Sequence, residues 1–338
     1  MPRAGERPGQ PRTVALGGGH GLAASLSALR QVTDRLTAVV TVADDGGSSG
    51  RLRAAYDLLP PGDLRMALAA VAGTDRDSLR LRDMLQHRMP PGEAGLAGHS
   101  VGNLLLAGLM QTGADPVTAL AAAGRMLGLA PGTQVLPMST WPLDIEADVL
   151  GLDPAGPVVV SGQVAVATTP GRVLAVRLVP PEAPACPEAL QALADADMVV
   201  LGPGSLFTSV LPHLIHPQLG AAIAASPAFR VLVLNLTAQP GETEGFAPES
   251  HVEVLASHAP DLTIDLVVAD VTAVLDRHGL MGGLTAAAED VGARLHLAPL
   301  ARRDRRDQHD PMALARAFGE IVRGRLPAAD GTTVTGRT

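Results

Sequence analysis

Residues 13–42 read TVALGGGHGLAASLSALRQVTDRLTAVVTV, and this stretch decides the fold. Thr13–Leu16 is a short apolar run that passes straight into Gly17-Gly18-Gly19-His20-Gly21. Leu22, Leu26 and Leu29 then recur at helical spacing on the way to Val32. Leu36–Val42 is apolar almost throughout, as a parallel strand buried on both faces must be. Strand, glycine turn, helix and strand make a β-α-β unit. The rhythm returns later. Met198–Leu201 runs into Gly202-Pro203-Gly204-Ser205 and a helix through Leu211, and Val231–Leu236 runs into the polar loop Thr237–Thr243. Ile264–Ala269 and Arg294–Leu297 read as further strands, and amphipathic Met312–Val322 closes the chain. Between the halves, Leu64–Ala72, Asp77–Gln86, Val101–Gln111 and Pro116–Leu127 read as helices. Short Val-rich pieces at Pro157–Ala167 and Val173–Val179 read as a small β-rich insertion, about residues 133–180. The pattern predicts one α/β domain over 13–326: Rossmann-like, doubly wound, with a mostly parallel sheet. The polar stretches 1–12 and 327–338 read as disordered tails. Ligands of such a sheet sit beyond the carboxyl ends of its strands, where strand order reverses.

Composition removes whole classes of function. With 46% hydrophobic and 18% charged residues, the 338-residue chain carries a substantial core. Aromatics are 2% and the net charge is −8, so neither stacking platforms nor a basic field is present to recruit nucleic acid. All 26 basic residues are Arg. Without Lys there is no Walker-A loop and no Schiff-base chemistry. Cys186 stands alone, which excludes an internal disulfide and a multi-Cys zinc site. No apolar run reaches the roughly 18 residues of a membrane span, and Met1–Arg12 lacks the apolar stretch of a signal peptide. A cytoplasmic protein is the expectation.

Four polar clusters fall where a strand-end site would be built. In the first, Gly18, Gly19 and His20 precede a helix, so bare backbone N–H groups could approach a phosphate. The dinucleotide fingerprint G-x-G-x-x-G fails because Leu22 replaces its third glycine, which argues against a nicotinamide-dependent oxidoreductase. The second cluster follows Val42. Its adjacent carboxylates Asp44 and Asp45 call for a cation, a sugar hydroxyl or Arg partners, Ser48 and Ser49 add hydroxyls, and Arg51 adds a bidentate donor. In the third, Asp63 is placed either to cap a helix or to meet a metal or ligand, and Arg65 could reach a phosphate. His99 and Asn103 open another helix beside LLLAGLM, where a buried Asn needs partners. The fourth combines Gly204, Ser205, Thr208 and Ser209 with Asn235, Gln239, Glu242 and Thr243, an anion turn next to amides and hydroxyls suited to a base or sugar edge. His213 and His216 read as surface histidines, and Arg302–Arg306 as a solvated mixed-charge face.

The stretches GGGHGL (17–22), TVADDGGSSGRLR (41–53), PPGDLRMAL (60–68), GHSVGNLLLAG (98–108), LGPGSLFTSVLPHL (201–214) and NLTAQPGETEGF (235–246) together resemble the gluconeogenesis factor family (YvcK-type). That family shares a CofD-like superfamily with 2-phospho-L-lactate transferase. The likeness spans roughly residues 13–320, and ADDGGSSGRLR favours the gluconeogenesis-factor branch. It implies a cytoplasmic, Rossmann-like factor tied to growth on gluconeogenic carbon sources and to cell shape and wall synthesis. It also implies binding of a UDP-sugar such as UDP-N-acetylglucosamine, with no firm cofactor and no assigned reaction, and leaves a homo-oligomer open. His20 stands where Thr is usual and Met66 where Asn is usual, so no role resting on a hydroxyl at 20 or an amide at 66 carries over. The alternative is a transferase of a phosphate-containing group, with Asp45 and Asp63 holding Mg²⁺. On the leading reading the diphosphate lies over Gly18, Gly19 and the Gly204–Ser205 turn, Arg51 or Arg65 neutralises it, and Asn235, Gln239 and Thr243 hold base or sugar.

Overall fold

β1 (Thr13–Gly17) is buried at every residue, and it lies inside the main sheet because both of its edges are paired. The computed structural model describes residues 10–92, 95–239, 242–275 and 280–324. The segment read as a C-terminal tail, and most of the N-terminal one, fall outside these. On one side of β1 lie β2 (Leu36–Val40) and β3 (Gln134–Pro137). β4 (Asp144–Asp153), β5 (Gly156–Ser161) and β6 (Arg172–Val179) form a separate antiparallel sheet in the order β5-β4-β6. β7 (Met198–Leu201), β8 (Phe229–Val233), β9 (Leu266–Asp270) and β10 (Arg294–Ala298) complete the main sheet on the other side. Its order is β10-β9-β8-β7-β1-β2-β3, parallel throughout. β1, β2, β7 and β9 bury every residue, as strands covered on both faces must. The expected α/β architecture is therefore present.

The registers Leu16↔Val39 and Leu16↔Leu201 bring β1, β2 and β7 to one rim, so the turns after them start level with each other. Helix Gly19–Leu29 packs against helices Pro61–Ala70 and Pro311–Val322. In the small sheet the period is two: Ile145, Ala147 and Val149 are buried, while Glu146 and Asp148 accept from Arg177 at 2.9 and 3.0 Å on the other face.

Three local readings change. Gln134–Pro137, inside the stretch read as insertion, pairs with β2 as the edge of the main sheet. Gly47–Tyr56, read as a strand-end loop, is a helix. Gly50 permits it, because a Cβ there would collide with the Asp45 carbonyl. Helices Pro217–Ala225 and Pro248–His258 gave no periodic signal, since their buried large apolar residues are only Leu219 and Ile223, and Val252 and Leu255.

Candidate functional site

From the β1–β7 pair the strand order runs outward in both directions, so the crevice between their turns is the switch point of the sheet. The two turns are pressed together. Ser25 Oγ, on the helix after β1, donates to the Gly202 carbonyl at 2.8 Å. A Cβ on Gly21 would lie 2.6 Å from Gly204 Cα and in hard contact with the Pro203 carbonyl oxygen. Gly18 faces a third wall, where a Cβ would lie 2.5 Å from Thr41 Cγ2, 3.3 Å from Ser209 Oγ and against Asp63 Oδ2. Gly18, Gly19, Gly204, Ser209 and Asp63 thus share one neighbourhood, while His20 is exposed on its edge.

The far side of the cradle is rigid. Asn235 grips Gly204 from both ends, its Oδ1 accepting from Gly204 N at 2.9 Å and its Nδ2 donating to Gly204 O at 2.8 Å. Ser205 Oγ accepts from Thr208 N at 3.0 Å and donates to Glu242 Oε1 at 2.5 Å. The same Glu242 oxygen accepts from Phe207 N at 2.8 Å. Burial raises the Glu242 carboxyl against those hydrogen bonds. Asn235 and Glu242 therefore set the shape of the turn. Thr243 Oγ1 accepts from Gln239 N at 2.8 Å, and Gln239 Oε1 is buried with no partner among the described residues.

The carboxylates sort differently from the sequence reading. Asp45 turns to the insertion, where its Oδ1 accepts from Val164 N at 2.9 Å. Asp44 stays: its Oδ1 accepts from Gly46 N at 2.9 Å, and its Oδ2 lies 2.7 Å from where a Gly62 Cβ would be. Asp44, rather than Asp45, is the carboxylate whose charge bears on Asp63. Among the described residues no group of three or more His, Cys, Asp or Glu side chains is set to hold a metal ion. Asp63 does not cap its helix; Pro60 holds that position and the Asp63 carboxylate accepts from the Gly19 N–H instead. Burial, then the charge of Asp44, push the Asp63 carboxyl up to about 7, against the pull of Gly19 N–H and Arg65.

A buried line of hydrogen bonds runs behind the cradle. Arg65 Nε donates to Asn103 Oδ1 at 2.9 Å, and Asn103 Nδ2 donates to Ser48 Oγ at 3.0 Å. Ser48 Oγ also lies 2.9 Å from His99 Nδ1, in a hydrogen bond whose direction follows the His99 tautomer. Burial and nearby Arg51 lower the His99 pKa, which suits the neutral ring. Ser49 Oγ accepts from Gly62 N at 2.7 Å. Ser48 and Ser49 thus act as struts between helices. Arg51 is held on the next loop, its Nη2 donating to Ala97 O at 2.8 Å.

His213 and His216 are buried at 0% and 2% exposure, not on the surface. His213 Nδ1 lies 3.0 Å from Ser209 O and its Nε2 3.1 Å from Val39 O, between the β7 turn and β2; the neutral ring donates to one of these carbonyls and packs against the other. Burial lowers its pKa to about 4. A histidine held below its unfolded value stabilises the fold above about pH 6.5, and that contribution is lost as pH falls toward 4. Imidazole ¹⁵N spectra are expected to show His213 neutral at pH 5.5; a protonated ring there would contradict the assignment. Thr41 escaped the sequence reading. It is 2% exposed, its Oγ1 has no partner among the described residues, and its methyl abuts Gly18. Its one signal was being the polar residue in the apolar run Ala38–Ala43.

A family model described as 2-phospho-L-lactate transferase CofD matches residues 13–288. A Mycobacterium tuberculosis protein named "Putative gluconeogenesis factor" is 53% identical over 304 residues, covering 89% of this chain and 87% of its own length. The "Gluconeogenesis factor" of Bacillus subtilis is 36% identical over 261 residues, covering 77% and 79%. A crystal structure of a UPF0052-family protein from Bacillus halodurans superimposes with a TM-score of 0.79 at 30% identity, covering 91% of this chain and 98% of that one.

Proposed function

Because the chain belongs to the CofD family and aligns with its gluconeogenesis factors along most of its length, we propose that it is a cytoplasmic factor that binds a UDP-sugar such as UDP-N-acetylglucosamine. Through that ligand it serves growth, cell shape and wall homeostasis on gluconeogenic carbon sources. The observation that carries the reading is the meeting of the β1 and β7 turns at the switch point. Backbone N–H groups at the start of a helix bind phosphate readily, so the diphosphate belongs over the Gly18–Gly19 and Gly204–Ser205 turns, where it would use the N–H groups beside Gly19 and Gly204 or displace Asp63 and Asn235 from those two. Gln239 would take a base or sugar edge, a role supported by its Oε1 lacking a protein partner among the described residues and by Thr243 holding its backbone. Two charge-assisted hydrogen bonds of about 1.5–3 kcal/mol each would already matter to micromolar affinity. Calorimetry with UDP-N-acetylglucosamine is expected to give saturable binding. No heat at near-millimolar ligand with folded protein would overturn the reading.

A second reading rests on Asp44 and Asp63. Mg²⁺ is commonly held by one or two carboxylates together with substrate phosphates, and these two residues fit that donor set. When bound, the ion would stabilise charge developing on phosphate oxygens during transfer of a phosphate-containing group from a nucleotide-activated donor. Asp44→Ala separates the readings: transfer that is detectable in wild type and lost in the variant favours the enzyme, and equal turnover removes Asp44 from any mechanism.

A further inference from the structure

Arg65 is only 5% exposed. Burying a guanidinium with no anion beside it is unfavourable. Its stem lies where a side chain on Gly102 would go, since a Cβ there would sit 2.8 Å from Arg65 Cδ. Its Nε is committed to Asn103 Oδ1 at 2.9 Å. Among the described residues nothing accepts from its Nη1 or Nη2, and no carboxylate reaches ion-pair distance. Asp63 and Asp44 act on it only from further away. Arg230 shows what a structural arginine looks like in this fold, with its guanidinium donating to the carbonyls of Ile223, Ala224 and Ser226.

Two more guanidiniums gather at the turn before His99, and the charge of one of them, Arg88, bears on Arg65. Arg51 Nη2 donates to Ala97 O at 2.8 Å, and Arg88 Nη1 donates to Gly98 O at 3.1 Å. These are consecutive carbonyls of one turn, made by Gly98 at φ +73°. His99, Ser48 and Asn103 tie that turn back to Arg65 through contacts of 2.9, 3.0 and 2.9 Å. Arg51 and Arg88 are exposed and make no ion pair among the described residues, whereas Arg12, Arg53, Arg82, Arg177 and Arg302 all end on carboxylates. The next residue, Ser100, is 0% exposed, and its Oγ has no partner among the described residues. Gathering three like charges is unfavourable, and a chain of net charge −8 does not lack carboxylates to pair with them. The planar forks of arginine grip phosphate and carboxylate groups with two parallel hydrogen bonds.

From this geometry we infer that Arg65, Arg51 and Arg88 form a second oxyanion pocket beside the glycine cradle, built to hold a phosphate or carboxylate group. It gives Arg51 and Arg65 a site of their own, in place of the diphosphate contact first expected of one of them, and does not need the nucleotide-sugar reading. The test is calorimetry of the full chain at low ionic strength, titrating inorganic phosphate and, separately, malonate. Wild type is expected to bind at least one of them saturably. Arg65→Gln and Arg88→Gln are each expected to weaken that binding about tenfold or more, the size of one lost charge-assisted hydrogen bond. Arg65 is buried and its variant could unfold, so the exposed Arg51 and Arg88 variants, checked by melting curves, keep the result readable. Phosphate without malonate marks a phosphate pocket, malonate without phosphate a carboxylate pocket, and competition between them a general oxyanion pocket; each supports the inference. No saturable binding of either ion to wild type, or wild-type affinity in folded Arg51→Gln and Arg88→Gln, overturns it. Failure of UDP-N-acetylglucosamine to bind would leave this outcome standing, because the probes are simple ions and the readout is at the arginines.

Discussion

Gly21→Ala is expected to lower the thermal midpoint by about 1–4 °C and to weaken UDP-N-acetylglucosamine binding about tenfold or more. The added methyl has nowhere to go. It would meet the Pro203 carbonyl oxygen, Pro203 C and Gly204 Cα, all of them backbone. A flexible side chain could swing aside, but here one of two turns must move. Overpacking of this kind costs about 1–3 kcal/mol. The movement also separates the Gly18–Gly19 turn from the Gly204–Ser205 turn, across which the diphosphate is proposed to lie. Scanning calorimetry and ligand titration on the same preparation check both halves. A variant that melts and binds like wild type would show that the two turns do not act as one cradle.

Asp63→Asn is expected to make the protein more stable at pH 8 and to leave it nearly unchanged at pH 4. The Asp63 carboxyl is held up to about 7 by burial and by Asp44. A carboxyl whose folded pKa lies above its unfolded value keeps its proton where the unfolded chain has already lost it. Its contribution is complete below about pH 4, and it is lost as pH rises through about 7. A shift of that size corresponds to at most about 4 kcal/mol, and less to the extent that solvent reaches the group. Asn keeps an acceptor for the Gly19 N–H and carries no charge. The difference between variant and wild type should therefore open between pH 4 and 7 and level off above. Parallel pH profiles would contradict the environment assigned to Asp63.

What was legible in the sequence was local. Thr13–Leu16 and Leu36–Val42 announced buried parallel strands, and the glycines at 17–21 and 202–204 announced the turns beyond them. Both turns were placed correctly at strand ends because glycine and a following helix leave few alternatives. Their mutual contact was an assumption that the packing of Gly21 on Pro203 and Gly204 now supplies. What stayed hidden depended on partners far along the chain. Asp44 and Asp45 are indistinguishable as neighbours, and only Val164, contributed by the insertion, draws Asp45 away. Ser48 and Ser49 looked like free hydroxyls, yet Asn103, His99 and Gly62 engage them. His213 read as a surface residue because nothing local says that Val39, 174 positions away, would meet its ring. Gln134–Pro137 is four residues long, too short for its periodicity to show which sheet it joins.

One phosphorylated ligand is proposed to lie across the β1 and β7 turns. A crystal structure of the protein with UDP-N-acetylglucosamine tests it most directly. The diphosphate is expected within hydrogen-bonding distance of backbone N–H groups from both turns, either those beside Gly19 and Gly204 or these two once Asp63 and Asn235 have released them. A ligand seated instead at the opposite rim of the sheet, in the 760 Å³ cavity lined by Arg12, Arg294 and Phe229, would contradict it.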